Sequence, residues 1–187
     1  MAVLGAFSLV LLISLVLLRV RILARSGIRA VHFGKTDRSD FLIPPFALVY
    51  FYAVFAGAFG WPSFERDLLF QPGIVQWIGL TFCVSGLALM ALSLLSFGTS
   101  FRVGIDTEHP DALITTGVFG VTRNPIYVAF ALVLLGEFLI QPYPLLLLYL
   151  VAGVGLFHRQ VLREEAFLEQ HYGKEYAEYR LRVPRYL

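Results

Sequence analysis

Side chains that could do chemistry are concentrated in two polar segments, residues 97–127 and 157–187. The second segment contains the adjacent carboxylates Glu164 and Glu165, which could pair with a cationic ligand or accept a proton. The four histidines are dispersed without the spacing of metal ligands, and no glycine-rich loop follows a predicted strand. The sequence therefore predicts neither a metal site nor a Rossmann dinucleotide site.

Several polar residues also have a plain structural interpretation. Asn124 and Pro125 fit the N-cap and N1 positions of a helix, so they could simply mark its start. Glu165 and Glu169 could be solvated charges on a helix that lies on the membrane surface, and spacing alone favours this interpretation. Glu137 stands in an apolar run, where a carboxylate is a functional candidate. Because it lies near the end of the run, we expect it to reach the outer interface instead.

The elements that must position these residues are apolar runs separated by charged or proline-rich breaks. The runs are residues 2–18, 41–60, 73–96, 126–140 and 143–157. The last two are each about 15 residues long, short of the roughly 20 that an upright span needs, and a proline turn separates them. We therefore expect an all-α integral membrane protein with about five transmembrane helices, the last two forming a hairpin.

The tail beyond residue 157 is predicted to be helical as well. Gly173 follows Tyr172 and resembles a helix C-cap. Tyr176 and Tyr179 lie three residues apart in the next short helix and could share one face.

The positions of Lys and Arg predict the orientation of the chain in the membrane. Six fall in residues 19–40, one in the loop at 61–72, two in residues 97–125, none in the proline turn and six from residue 158 onward. With five spans these groups alternate strictly, so that fourteen of the fifteen lie on one side. The sequence thus predicts an external N-terminus, a cytoplasmic C-terminus and two cytoplasmic polar segments.

The composition excludes several classes of protein. Of the 187 residues, 58% are hydrophobic and 15% are charged, whereas a soluble domain is usually about 45–50% apolar and about a quarter charged. The surplus apolar surface requires contact with lipid. The net charge of +2, without a basic patch interleaved with aromatic residues, gives no indication of nucleic-acid binding. The single Cys83 excludes an intrachain disulfide.

Two motifs in the polar segments resemble a known family. They read TTGVFGVTRNPIY at residues 115–127 and REEAFLEQHYGKEYAEYRLRVPR at residues 163–185. In this order they resemble the C-terminal half of the isoprenylcysteine carboxyl methyltransferase and phospholipid methyltransferase superfamily, over residues 95–187. The residues that match the family pattern are Gly117, Val118, Arg123, Pro125, Tyr127, Glu164, Glu165, Gly173, Glu175, Tyr176, Tyr179, Val183 and Pro184.

The chain departs from the family pattern at three positions. Asn124 replaces the motif histidine, and Phe119 replaces a tyrosine. Gln160 stands where the carboxyl methyltransferases hold an arginine, four residues before the first glutamate.

The resemblance implies a pocket for S-adenosylmethionine, made by the connecting loop, the start of the fourth helix and C-terminal amphipathic helices. Residues 96–187 would form this methyltransferase-like region, and residues 1–95 would form the N-terminal helices of the same single membrane domain. A carboxylate suits the cationic amino and sulfonium groups of the cofactor, and aromatic side chains suit its adenine. Carried over by position, the implied contacts are Asp111, Ala112, Leu113, Ile114, Phe119, Asn124, Pro125, Ile126, Tyr127 and Glu164.

The resulting hypothesis is methyl transfer from S-adenosylmethionine to a lipophilic acceptor that enters from the bilayer. Arg159 or Arg163 would orient a prenylcysteine-like carboxylate, whereas Glu165 or Tyr127 would take the proton from an amine of a lipid headgroup. Arg159, Arg163 and Glu165 are thus the predicted catalytic residues. We expect the protein in the inner or plasma membrane of a prokaryote.

Two other functions stay open at this point, as do the acceptor and the oligomeric state. One is an NADPH-dependent membrane reductase of the steroid-reductase type, which resembles the superfamily in its C-terminal region. The other is a non-enzymatic membrane protein that retains the fold.

Overall fold

A computed structural model describes residues 1–25, 43–62, 67–98 and 112–187 of the chain. Within these ranges all regular secondary structure is helical, which confirms the predicted all-α fold. The elements are α1 (Ala2–Arg25), α2 (Ile43–Phe59), α3 (Val75–Phe97), a short 3₁₀ helix (Gly117–Gly120), α4 (Pro125–Ile140), α5 (Pro144–Tyr172) and α6 (Lys174–Arg182).

Three of these helices, α1, α3 and α5, are long and apolar enough to cross a membrane. The helices α2 and α4 are also apolar but have only 17 and 16 residues, fewer than the roughly 20 of an upright span. Large apolar side chains stay exposed along the long helices, among them Leu17, Val84 and Leu148. Such faces require lipid, so the chain is an integral membrane protein. The number of five spans stays a prediction.

The helices α3 and α4 pack at close range because small residues face one another. A Cβ atom added at Gly136 would lie 2.5 Å from Sγ of Cys83 and 2.6 Å from the carbonyl oxygen of Gly79. In lipid, where apolar burial does not drive helices together, such close backbone approach maximises van der Waals packing. The pair therefore fixes α4, whose first residues belong to the candidate site.

The helices α4 and α5 form the predicted hairpin. The turn between them is buried at Gln141 and Pro142, and Pro144 begins α5. The helix α5 continues well past the end of its apolar run, because residues 156–172 contain neither proline nor glycine. It ends at Gly173, whose φ of +53° confirms the predicted C-cap. The polar half of α5 is thus a rigid extension of its apolar half.

Glu137 lies in the interior of the helix bundle, with its side chain wholly buried. Oγ of Ser8, on α1, donates a hydrogen bond to its Oε1 at 3.1 Å. The expectation that Glu137 reaches the outer interface is wrong, because α4 turns this side chain toward α1 rather than along its axis toward the headgroups.

Candidate functional site

The start of α4 carries the first of the predicted site residues. Asn124 and Pro125 occupy the N-cap and N1 positions, as the sequence predicts. The Asn124 side chain does not cap the helix. Its Nδ2 donates instead to Oε1 of Glu165 at 3.1 Å and to the carbonyl oxygen of Arg185 at 3.2 Å. The interpretation as a plain helix cap is therefore correct for the position of Asn124 and wrong for its side chain.

The chemistry of its two partners fixes the orientation of the Asn124 amide. An ion-paired carboxylate and a backbone carbonyl can only accept hydrogen bonds, so the nitrogen and not the oxygen of the amide must face them. Both hydrogens of Nδ2 are then in use, whereas Oδ1 accepts no hydrogen bond from the part of the chain that the structure describes, on a side chain that is almost fully buried.

Glu165 is the centre of a buried ion-pair cluster. Its Oε1 lies 3.1 Å from Nη2 of Arg123, and both side chains are 7% exposed. Its Oε2 accepts a hydrogen bond from Nε of Arg185 at 3.0 Å and lies 2.9 Å from Nη2 of the same residue. Two guanidinium groups and the Asn124 amide together compensate the cost of burying this charge. The interpretation of Glu165 as a solvated charge is wrong, whereas Glu169 fits it, since its side chain is 55% exposed.

Glu164, the neighbour of Glu165 on α5, faces a different set of partners. The hydroxyl of Tyr127 donates to its Oε1 at 2.5 Å, and Nε2 of Gln160 donates to the same oxygen at 3.0 Å. Glu164 lies beyond the apolar half of α5. The pKa of its carboxyl is raised because burial disfavours the charged form, and the two hydrogen bonds offset only part of this rise. Such a carboxylate gains stability from a nearby cation.

A row of aromatic rings leads from Glu164 along the hairpin. The ring centroids of Tyr127 and Phe157 are 5.9 Å apart, and those of Phe157 and Phe130 are 5.5 Å apart. The row alternates between α4 and α5 and reaches into their apolar part. Aromatic faces attract cations and also pack well against apolar chains.

The helix α6 carries two buried tyrosines that share a face, as predicted, and docks on the 3₁₀ helix through one of them. The hydroxyl of Tyr179 donates to the carbonyl oxygen of Phe119 at 2.7 Å, and Phe119 packs edge-on against Phe97. The ring of Tyr176 lies 6.0 Å from the guanidinium carbon of Arg123. Burial raises the pKa of each tyrosine hydroxyl to about 12, so both stay protonated at neutral pH.

The last five residues, 183–187, form a C-terminal strap across the start of α4. The strap is bonded both to the segment that precedes α4 and to α5. Besides the bonds of Arg185 with Glu165 and Asn124, the strap's hydrogen bonds include Arg123 N to Pro184 O at 3.0 Å, Thr122 Oγ1 to Arg185 O at 3.1 Å, and Tyr186 Oη with His158 Nδ1 at 2.9 Å.

Half of the ten predicted cofactor contacts, Asn124, Pro125, Ile126, Tyr127 and Glu164, lie at the start of α4 or face it from α5. Hydrogen bonds join Asn124 to Glu165 and Tyr127 to Glu164, and Pro125 and Ile126 belong to the same turn of α4. Others lie farther along the chain. Phe119 and Leu113 pack where α6 docks, Ile114 is partly buried, Ala112 is exposed, and Asp111 lies outside the described residues.

The two predicted catalytic arginines lie on another side of α5. Arg159 is exposed and Arg163 is partly buried. Helical geometry, at about 100° per residue, places both roughly opposite the buried Val161 and Glu165.

Sequence reasoning missed Arg185, which supplies both the guanidinium for Glu165 and the carbonyl for Asn124. The one feature of the sequence that could have identified Arg185 is its position directly after the matched Val183 and Pro184, where the motif specifies no residue type. Gln160, noted only as a departure from the motif, proves to be a donor to Glu164.

The assembled site offers hydrogen-bond acceptors next to aromatic rings. The acceptors are the Glu164 carboxylate and Oδ1 of Asn124, and the nearest ring is that of Tyr127. This combination suits a ligand that carries positive charge.

Comparisons with known proteins identify the family. The phospholipid methyltransferase model matches residues 74–175. Protein-S-isoprenylcysteine O-methyltransferase B of Arabidopsis thaliana is 31% identical over 130 residues, 65% of this chain and 66% of that protein. The protein-S-isoprenylcysteine O-methyltransferases of Tribolium castaneum and Xenopus laevis are 29% and 30% identical, over 68% and 66% of this chain. The chain spans only 48% and 46% of their lengths. Because the family match covers more than half of the chain and includes Asn124, Tyr127, Glu164 and Glu165, the chain belongs to the phospholipid methyltransferase family.

Proposed function

We propose that this protein transfers a methyl group from S-adenosylmethionine to a lipophilic acceptor in the membrane. Family membership and the names of the relatives support a methyl transfer to a prenylcysteine-like or lipid acceptor. The observation that carries the proposal is the cluster of Asn124, Tyr127 and Glu164, which joins polar acceptors to the apolar hairpin. The proposed cofactor-binding region is residues 96–187, as part of one membrane domain with residues 1–95.

The residues of the cluster fit the cofactor. S-adenosylmethionine has a cationic amino group and a cationic sulfonium, and both favour carboxylate, amide oxygen and aromatic neighbours. Glu164, Asn124 and Tyr127 supply one of each. The further contacts that we propose from family position are Asp111, Ala112, Leu113, Ile114, Phe119, Pro125 and Ile126.

The protein's task in such a reaction is to align two reactants and exclude water. When bound, the cofactor supplies an electrophilic methyl group, which moves to the acceptor atom by in-line displacement and leaves S-adenosylhomocysteine. Most of the rate enhancement then comes from positioning. The aromatic row of Tyr127, Phe157 and Phe130 offers the acceptor's apolar chain a path from the lipid to the cluster.

The residues that handle the acceptor depend on its chemistry. A carboxylate acceptor needs orientation, for which Arg159 and Arg163 are the residues proposed from the sequence; because they lie on another side of α5 from Glu165, they could meet only an acceptor that approaches from that side. An amine acceptor must lose a proton, which we propose passes to the Tyr127 oxygen while the Tyr127 hydroxyl proton moves to the Glu164 carboxylate, its hydrogen-bond acceptor. Glu165 already accepts from two arginines and an amide, so we assign it the positioning of Asn124 in place of the proton transfer expected from the sequence.

Calorimetry of the purified protein with S-adenosylhomocysteine and, separately, with NADP tests the proposal. We expect saturable binding of S-adenosylhomocysteine and none of NADP. Binding of NADP alone would indicate the membrane reductase, and binding of neither would favour a non-enzymatic protein. A screen of lipid extracts with methyl-labelled cofactor then identifies the acceptor class.

A further inference from the structure

The C-terminal strap contacts Asn124 from a distant part of the chain. Arg185 makes two contacts there: its guanidinium binds Oε2 of Glu165, and its carbonyl oxygen accepts from Nδ2 of Asn124. The other oxygen of Glu165 accepts from the same Nδ2. A single residue of the strap thus supplies one acceptor of the amide and, together with Arg123, helps to hold the other.

The two possible orientations of the Asn124 amide differ in energy. An asparagine amide can turn about its last bond and exchange its nitrogen and oxygen at little cost unless its partners distinguish them. Glu165 and the Arg185 carbonyl distinguish them, because both are acceptors. Without the Arg185 side chain, the strap keeps its other hydrogen bonds but loses its ion pair with Glu165. The amide is then held less firmly, and Oδ1 of Asn124 can turn toward the guanidinium of Arg123, which lies 3.1 Å from Glu165.

We propose that the Arg185–Glu165 pair is a positioning device that closes the strap on Asn124 and fixes its Oδ1 as an acceptor for the cofactor's amino group. The inference rests on the proposed function, since it needs S-adenosylmethionine in this site. Arg185 and Glu165 act through Asn124 and are positioning residues. We expect the binding of the cofactor's adenosine part not to depend on these two residues.

Two ligands separate positioning from a general loss of structure. S-adenosylhomocysteine carries the amino group, whereas 5′-methylthioadenosine keeps the adenosine and the thioether but lacks the amino-acid part. We expect Arg185→Ala to weaken S-adenosylhomocysteine about tenfold, a coupling of ordinary size, and to change methylthioadenosine affinity by less than about twofold. Arg182→Ala is the matched control, because Arg182 is exposed and its Nε donates only within α6, to the Glu178 carbonyl.

Arg185→Lys and chemical rescue keep the test decisive if the alanine variant folds poorly. Lysine keeps the charge but cannot present two nitrogens to one carboxylate, so we expect an intermediate loss for S-adenosylhomocysteine alone. Added methylguanidinium is expected to restore part of the lost affinity in Arg185→Ala and to leave Arg182→Ala unaffected.

The outcomes are distinguishable. Equal weakening of both ligands would mean that the strap is merely structural, and unchanged affinity for S-adenosylhomocysteine in both Arg185 variants would also overturn the inference. If the unmodified protein does not bind S-adenosylhomocysteine, the proposed function fails and the positioning device fails with it.

Discussion

Glu164 and Glu169 lie on the same helix but in different surroundings, and this difference predicts different roles. Glu164 is held by Tyr127 and Gln160 in the cluster, whereas Glu169 is paired with Arg180 at the surface. A charge-assisted contact in a partly buried site contributes about 2 kcal/mol, or roughly 30-fold in affinity. We therefore expect Glu164→Ala to weaken S-adenosylhomocysteine by roughly that factor and Glu169→Ala to change it less than about threefold. Calorimetry with S-adenosylhomocysteine measures the affinity of both variants. Equal, small effects would mean that Glu164 is not part of the cofactor site.

The sequence marks three polar residues of the candidate site but does not predict their partners. The motifs mark Asn124, Tyr127 and Glu164 because residue type and order are local properties. The contacts of Glu165 depend on how the start of α4 and the strap meet over α5, which is a tertiary property. Spacing along α5 therefore predicted a solvated Glu165, and only the fold shows that Arg123 and Arg185 enclose it.

At the scale of elements, apolar runs and helix breakers predicted most boundaries. The turn before Pro144 and the end of α5 at Gly173 follow from the backbone preferences of proline and glycine, which can be identified in the sequence. The first apolar run ends at residue 18, whereas α1 extends to Arg25. Arg19 and Arg21 are good helix formers whose long side chains can carry their charge to the interface, so they need not end a helix.

The close pair of α3 and α4 predicts a steric test at Gly136. Gly136→Ala would place a methyl group 2.5 Å from Sγ of Cys83 and 2.6 Å from the Gly79 carbonyl. Overpacking of this kind lowers the free energy of unfolding by about 1–3 kcal/mol. Gly155→Ala is the control, because a Cβ atom there meets nothing within 4 Å. Thermal unfolding in detergent should show a lower midpoint for Gly136→Ala only; equal midpoints would mean that the two helices separate freely.

The docking of α6 predicts opposite responses at two neighbouring tyrosines. Tyr179→Phe removes the bond to the Phe119 carbonyl and is expected to lower stability by about 1 kcal/mol. Tyr176→Phe removes a buried hydroxyl with no partner among the described residues, so it should be neutral or stabilising. Chemical unfolding in detergent measures both. A larger loss in Tyr176→Phe than in Tyr179→Phe would contradict this account of the docking.

The same tyrosines give α6 docking a defined pH dependence. Each has a folded-state pKa of about 12, above the ordinary value of 10.0, because burial disfavours the phenolate. The stability that the neutral hydroxyls contribute is therefore complete below pH 10 and is lost as the pH rises toward 12. We expect the unfolding midpoint to fall in this interval and to fall less steeply in Tyr176→Phe, which has one titrating group fewer.

For the whole molecule, the packing brings distant basic residues to one end of the helix bundle. The Arg19 guanidinium, near the end of α1, donates to the carbonyl of Gly98 at the end of α3, and Phe97 packs on Phe119 close to the start of α4. At the other end, the amide of Leu69 donates to the Pro142 carbonyl in the hairpin turn. Among the described residues, the basic groups near the end of α1, before α4 and in the strap thus lie at the end of the bundle opposite the hairpin turn.

This separation predicts which end faces the cytoplasm. Basic residues are retained on the cytoplasmic side of a membrane, so the end that carries Arg19, Arg123 and the strap should face inward. Asp67→Cys and Glu178→Cys place a thiol at an exposed position at opposite ends, while the native Cys83 is fully buried and should stay silent. In intact bacterial cells, an impermeant maleimide is expected to label Asp67→Cys and spare Glu178→Cys, and permeabilised cells should show labelling of both. Labelling of Glu178→Cys from outside would reverse the orientation and place the proposed cofactor site away from the cytoplasm.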